Sequence, residues 1–152
     1  MRIFIITAVM LLTLISPATA AELPKAATVE QALNNLKHEF PDWRDNYEAN
    51  VFDCSEMSAF VRDYLDYCEL KPELQVGRGY GVWGYSGWVN HAWVVCQGQT
   101  IECTSLKIRP ASQYKDFVII HFPPGALPDE YDWWNSEYMQ DKGVQPWQVP
   151  SK

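Results

Sequence analysis

The stretch 53–68 constrains this chain most, because its apolar side chains share one side of the backbone only if it is a helix. Met57, Phe60, Val61, Tyr64, Leu65 and Cys68 recur at i, i+3, i+4, i+7, i+8 and i+11, one stripe of a 3.6-residue period. Asp53 precedes the stripe and Glu56 follows three residues later, a pairing that satisfies free first-turn amides as a capping box. The spacing predicts a helix over 54–69, and Pro72 with the glycines beyond it forbids continuation. Upstream, Thr28 and Gln31 repeat the capping signature, and Val29, Ala32, Leu33, Leu36 and Phe40 keep helical spacing as far as Pro41. A first amphipathic helix is expected over 29–39.

Beyond Glu73 the period falls to two. Leu74 and Val76 alternate with polar neighbours, and the glycine- and aromatic-rich stretch 77–88 reads as a loop. Residues 89–96 are rich in β-branched and aromatic side chains, 97–99 hold a glycine turn, and 100–105 resume the strand pattern, which together predict a β-hairpin. A last apolar run, 117–122, reads as a strand with His121 as a structural residue, and the acidic aromatic segment 129–135 reads as a packed cap. Helices first and an antiparallel sheet afterwards define an α+β domain. The second helix is expected to lie across the hairpin, burying Met57, Phe60 and Val61 at about 1.5–3 kcal/mol each.

At 152 residues the chain suits one domain, and no internal repeat or domain boundary is visible. Arg2, an apolar run over 3–15, Ser16, Pro17 and the small residues Ala18, Thr19 and Ala20 read as a secretory signal peptide, 1–20, followed by a single domain over 21–152. A membrane span needs about 20 apolar residues. The run here is interrupted by Thr7 and Thr13, ends at Pro17 and is followed by no lipobox cysteine, so no stable membrane anchor is expected after signal removal. The expected location is outside the cytoplasm: periplasmic, cell-surface or extracellular. Without Arg2 the chain carries 11 basic against 19 acidic side chains, a net charge of −8. That balance disfavours nucleic acid and acidic polymers and tolerates basic or neutral peptides.

Cysteines at 54, 68, 96 and 103 in an exported chain suggest two disulfides, with three connectivities open. No pair has the spacing of a zinc knuckle, and His38, His91 and His121 are scattered, so neither a metal nor another cofactor is expected. Cys54 differs from the other three. It occupies the first turn of the second helix, on the buried stripe and facing the sheet, where free amides and the positive end of the macrodipole favour a thiolate. His91 lies in a strand, sharing one face with Trp93 and Val95, and a strand aims an imidazole rigidly at a helix start. Across the turn at Gln97 and Gly98, residues 102–104 return beside 91–93, so Glu102 can accept the second imidazole N–H and fix its tautomer, with Thr104 or Ser105 as weaker substitutes. Cys54 as nucleophile, His91 as base and Glu102 as orienter form the candidate site. The plainer readings are a bridged cysteine, a structural histidine and a solvated carboxylate.

This order of parts resembles the transglutaminase-like superfamily. The matching residues are Asp53, Cys54 and Ser55 before an amphipathic helix, then His91, Ala92, Trp93 and Val94, then Ile101, Glu102, Cys103 and Thr104, spanning about half of the mature chain. Where the family more commonly has aspartate followed by proline, this chain has Glu102 and Cys103. The resemblance implies a papain-like fold, N-terminal helices packed on an antiparallel sheet, and acyl transfer on a peptide or protein amide, ending in hydrolysis or in transfer to an amine. Residues Phe52 to Ser55 are also similar to the helix start of NlpC-type and CHAP-type cell-wall peptidases, but the Gly-Asp-aliphatic turn of those families is missing and Trp93 follows His91 and Ala92. The Cys54 backbone amide is the first candidate oxyanion donor, with Asn46, Asn50 or Trp43 as side-chain candidates, and the aromatic loop 80–88 is a candidate wall or lid. A different class of function is a non-catalytic binding module in which Trp83, Trp88, Trp133 and Trp134 hold a glycan or a partner, aromatic residues being 14% of the chain. A free Cys54 beside His91 favours the enzyme, and a bridged Cys54 favours the module.

Overall fold

The computed structural model describes residues 23–49 and 51–121. The expectations for the signal segment 1–20, for Asn50, for Phe122 at the end of the last strand and for the tail with Trp133 and Trp134 lie outside these residues.

Helix α1 spans Val29–Glu39, with the Thr28 side chain accepting from the Gln31 amide at 3.2 Å. Its buried residues Val29, Ala32, Leu33 and Leu36 are those of the apolar stripe. Helix α2 spans Cys54–Tyr67 and begins in the expected capping box: Asp53 accepts from the Ser55 amide at 2.8 Å, and Glu56 Oε2 accepts from the Asp53 amide at 3.0 Å. It ends two residues before the expected Glu69. Glu69 turns into the left-handed region at φ 64, and the Leu70 amide reaches back to the Leu65 carbonyl at 3.0 Å while that of Glu69 reaches Asp66 at 2.8 Å. This paired C-terminal closure is usually made with glycine at the left-handed position. Tyr64 ties the helices together, donating to the Pro24 carbonyl at 2.6 Å and accepting from Asn35 at 2.8 Å.

Five strands follow: β1 Glu73–Tyr80, β2 Trp88–Cys96, β3 Gln99–Glu102, β4 Lys107–Arg109 and β5 Val118–His121. They form one antiparallel sheet in the order β4-β3-β2-β1-β5. The domain is therefore α+β, two helices packed on a five-stranded antiparallel sheet. Met57, Phe60 and Val61 are fully buried in the core between α2 and the sheet, with Ala92, Val94, Cys96 and Ile101 from the sheet side. Trp93 belongs instead to a second cluster with Val82, Tyr114 and Phe117, against which Val89, Val95 and Ile119 pack. Alternation along β2 thus puts Trp93, Val95 and His91 on the face turned away from the helices. No helix of the described residues is long and apolar enough to cross a membrane.

Two expectations are corrected. The glycine stretch is not a loop from its start, because β1 runs through to Tyr80 with Gly77 opposite His91. A Cβ on Gly77 would stand 2.8 Å from Trp93 Cη2 and 2.9 Å from Phe117 Cβ, so glycine is the residue that lets these rings lie against the strand. The β2–β3 turn is two residues, Gln97 at φ 51 and Gly98 at φ 76, the twist that joins antiparallel strands tightly. The strand after it stops at Glu102 rather than Ser105, and a turn leads to β4, which the hydrophobic pattern did not signal. All four cysteines are free thiols, Cys54 among them, and no bridge joins any two of Cys68, Cys96 and Cys103. Cys54 and Cys68 bracket α2 and are held about 20 Å apart by its length. The other thiols meet backbone groups: Cys68 Sγ accepts from the Ala26 amide at 3.3 Å, and Cys96 donates to the Leu70 carbonyl at 3.1 Å.

Candidate active site

Pairing between β2 and β3 ends at Val94 with Ile101, so among the described residues no strand pairs with that side of β2 from Trp93 back to Trp88. Helix α2 packs on β2. Cys54, half-buried at the first position of the helix, lies near enough to His91 to act on its ionisation. His91 Nε2 donates to Glu102 Oε2 at 2.9 Å. With Nε2 committed to the carboxylate, Nδ1 is the ring nitrogen left for another partner. The structure therefore brings the three sequence-predicted residues together.

Glu102 is fully engaged. Oε1 accepts from the Thr104 hydroxyl at 2.7 Å and the Thr104 amide at 3.3 Å, and Oε2 accepts from the Tyr114 hydroxyl at 2.8 Å in addition to His91. Burial by itself raises this carboxyl, but the hydrogen bond and charge of His91, with the bonds from Thr104 and Tyr114, outweigh it and hold Glu102 at about 2. Burial likewise lowers the imidazole, and the hydrogen bonds and charges of Cys54 and Glu102 reverse that, raising His91 to about 9. His91 is 8% exposed. An imidazolium at neutral pH is thus held between a carboxylate and a sulfur in a largely dry site.

The surroundings are aromatic. The Trp83 ring stands edge-on to His91 at 5.0 Å, while Trp93 and Tyr114 lie nearly parallel to it at 6.0 and 6.2 Å. Trp83 is carried on the turn after β1 with φ 54, between Gly81 at φ 67 and Gly84 at φ 82, and its indole N–H is anchored on the Gln113 carbonyl at 2.9 Å. The expected wall is therefore a short left-handed turn that lays one indole against the histidine, and Trp83 remains 46% exposed at the rim.

Two expected oxyanion donors already bond backbone carbonyls. Trp43 is buried, and its indole N–H donates to the Cys103 carbonyl at 2.8 Å. Asn46 donates through its side-chain amide to the Asp42 carbonyl at 2.7 Å, within the 3-10 turn Trp43–Asn46. Tyr114 escaped sequence reasoning altogether: it sits in a 3-10 turn after β4, and nothing local marks it as a neighbour of Glu102. Among the described residues no group of three or more His, Cys, Asp or Glu side chains is arranged to hold a metal ion. The chain matches no protein-family model, no curated protein and no solved structure.

Proposed function

We propose that this chain is an exported thiol acyl-transfer enzyme of transglutaminase-like, papain-like architecture, acting on a peptide or protein amide. The observation that carries the reading is the His91–Glu102 hydrogen bond, with the free Cys54 at the start of α2 acting on the same imidazole.

The chemistry follows from that order. The Cys54 thiolate attacks the carbonyl carbon of the amide, and the electron pair moves onto the carbonyl oxygen. The backbone amide of Cys54, in the first turn of α2, is the donor nearest to that oxyanion. As the C–N bond breaks, the His91 imidazolium gives its Nδ1 proton to the departing amine, leaving a thioester on Cys54. The neutral imidazole then takes a proton from water or a second amine, which attacks the thioester and restores the thiolate. Glu102 stays anionic throughout, holds the ring by Nε2–H and stabilises the cation that recurs on each proton transfer.

The test is labelling of the mature protein with iodoacetamide, read by mass spectrometry, for the unsubstituted chain and for Cys54→Ala and His91→Ala. The expected result is modification at Cys54 alone, abolished in the first variant and slowed at least 100-fold in the second, the lower end of what a positioned acid–base group contributes. Equal labelling with and without His91 would overturn the activation and leave the aromatic surface, with Tyr80 67% and Trp88 61% exposed, as the feature to explain.

A further inference from the structure

We infer that Tyr114 is a positioning residue for the His91–Glu102 pair, holding the carboxylate in the single orientation that presents Oε2 to Nε2. The inference rests on the acyl-transfer reading for its meaning, and on geometry alone for its content.

A glutamate is a loose partner for a histidine. It has one more rotatable bond than aspartate, and its terminal torsion is broad and two-fold, so either oxygen can face a donor. In this chain both ends of the carboxylate are pinned from different elements. Thr104, in the turn after β3, supplies two donors to Oε1, and Tyr114, from the 3-10 turn Ala111–Tyr114, supplies one to Oε2. Donors on both oxygens fix the plane of the group as well as its position, leaving one lone-pair direction on Oε2 for His91.

The tyrosine is itself held. Only 4% exposed, its ring packs on Trp93 at 4.7 Å, Trp83 at 5.8 Å and Phe117 at 6.3 Å, and lies within 15° of parallel to the His91 ring. A phenol wedged among three rings has little freedom to turn its hydroxyl elsewhere. Burial and the Glu102 charge both push its ionisation up, so it stays a neutral donor wherever the enzyme folds. The charged and titratable groups facing this cluster are His91, Glu102, Arg109 and the thiols of Cys54 and Cys103.

Tyr114→Phe removes the hydroxyl and keeps the ring. In the full mature chain, with folding checked by circular dichroism, the His91 titration is followed by nitrogen-15 NMR. We expect its midpoint to fall from about 9 as the carboxylate gains rotational freedom, and Cys54 alkylation by iodoacetamide to slow roughly 10- to 100-fold, the scale of one hydrogen bond to a charged group. In a Glu102→Gln background the same substitution should change neither readout further, because Tyr114 acts only through that carboxylate. A His91 midpoint that is unchanged or higher in Tyr114→Phe, or an effect of equal size in both backgrounds, overturns the inference. If Tyr114→Phe does not fold, the hydroxyl proton of the unsubstituted protein decides: a slowly exchanging downfield resonance supports the bond, and its absence overturns it. Failure of the acyl-transfer reading is separately visible, as Cys54 labelling that ignores His91→Ala while the titration still responds to Tyr114.

Discussion

His91 and Glu102 meet diagonally across two strands rather than face to face. The last paired residues are Val94 and Ile101, so one step further brings Glu102 level with Trp93, two residues from His91 on the same face. A diagonal neighbour is about 7–8 Å away at the backbone, within reach of a long side chain. The 2.9 Å contact across that diagonal is made by a glutamate, one methylene longer than an aspartate.

Replacing Glu102 by Gln removes one of the two groups, after Cys54, that offset the burial of His91. The His91 midpoint is expected to drop from about 9, and Cys54 alkylation to slow about 10- to 100-fold with the loss of a charge-assisted bond. A histidine titration by NMR checks the first, and a midpoint still near 9 would count against the pairing.

Stability should depend on pH through the same pair. Because His91 is raised from 6.5 to about 9, its contribution is complete below 6.5 and is lost as pH rises through 9. Because Glu102 is depressed from 4.5 to about 2, its contribution is complete above 4.5 and is lost as pH falls through 2. These are two views of one interaction and are not summed. Urea unfolding at pH 6, 8 and 10 should show a decline on the alkaline side that is absent in His91→Ala.

Gly77→Ala should destabilise by overpacking. The new Cβ would meet Trp93 and Phe117 inside 3 Å, one neighbour being a Cβ that cannot swing aside. A loss of about 1–3 kcal/mol is expected, seen as a lower Tm by thermal circular dichroism. An unchanged Tm would show that β1 does not pass so close to these rings.

Trp43→Phe separates folding from Cys54 reactivity. It removes the shorter of the two bonds to the Cys103 carbonyl, which keeps the Leu106 amide at 3.4 Å, and should cost about 0.5–1.5 kcal/mol in denaturant unfolding. Cys54 alkylation per folded molecule should hold, because the indole N–H is turned to the backbone. A loss of alkylation without a stability loss would bring Trp43 back as an oxyanion donor in the proposed acyl transfer.

Much of this domain was legible locally. Helix α1 has the bounds its period and caps predict, and the Asp53–Glu56 box places Cys54 at the first position of α2 because capping is a contact between residues three apart. The faces of β2 follow from alternation, and the hairpin that returns Glu102 beside His91 follows from Gln97 and Gly98. What the order of residues could not decide is who else arrives there. Gly77 to Tyr80 became strand because the space above them is filled by Trp93, Val82 and Phe117, residues up to forty positions away. Tyr114 found the carboxylate, and Trp43 found the Cys103 carbonyl, only when the chain closed on itself. Short-range periodicity and capping are set by backbone geometry and can be read along the chain; partners of buried polar atoms are set by which distant segments share a volume, and packing alone determines that.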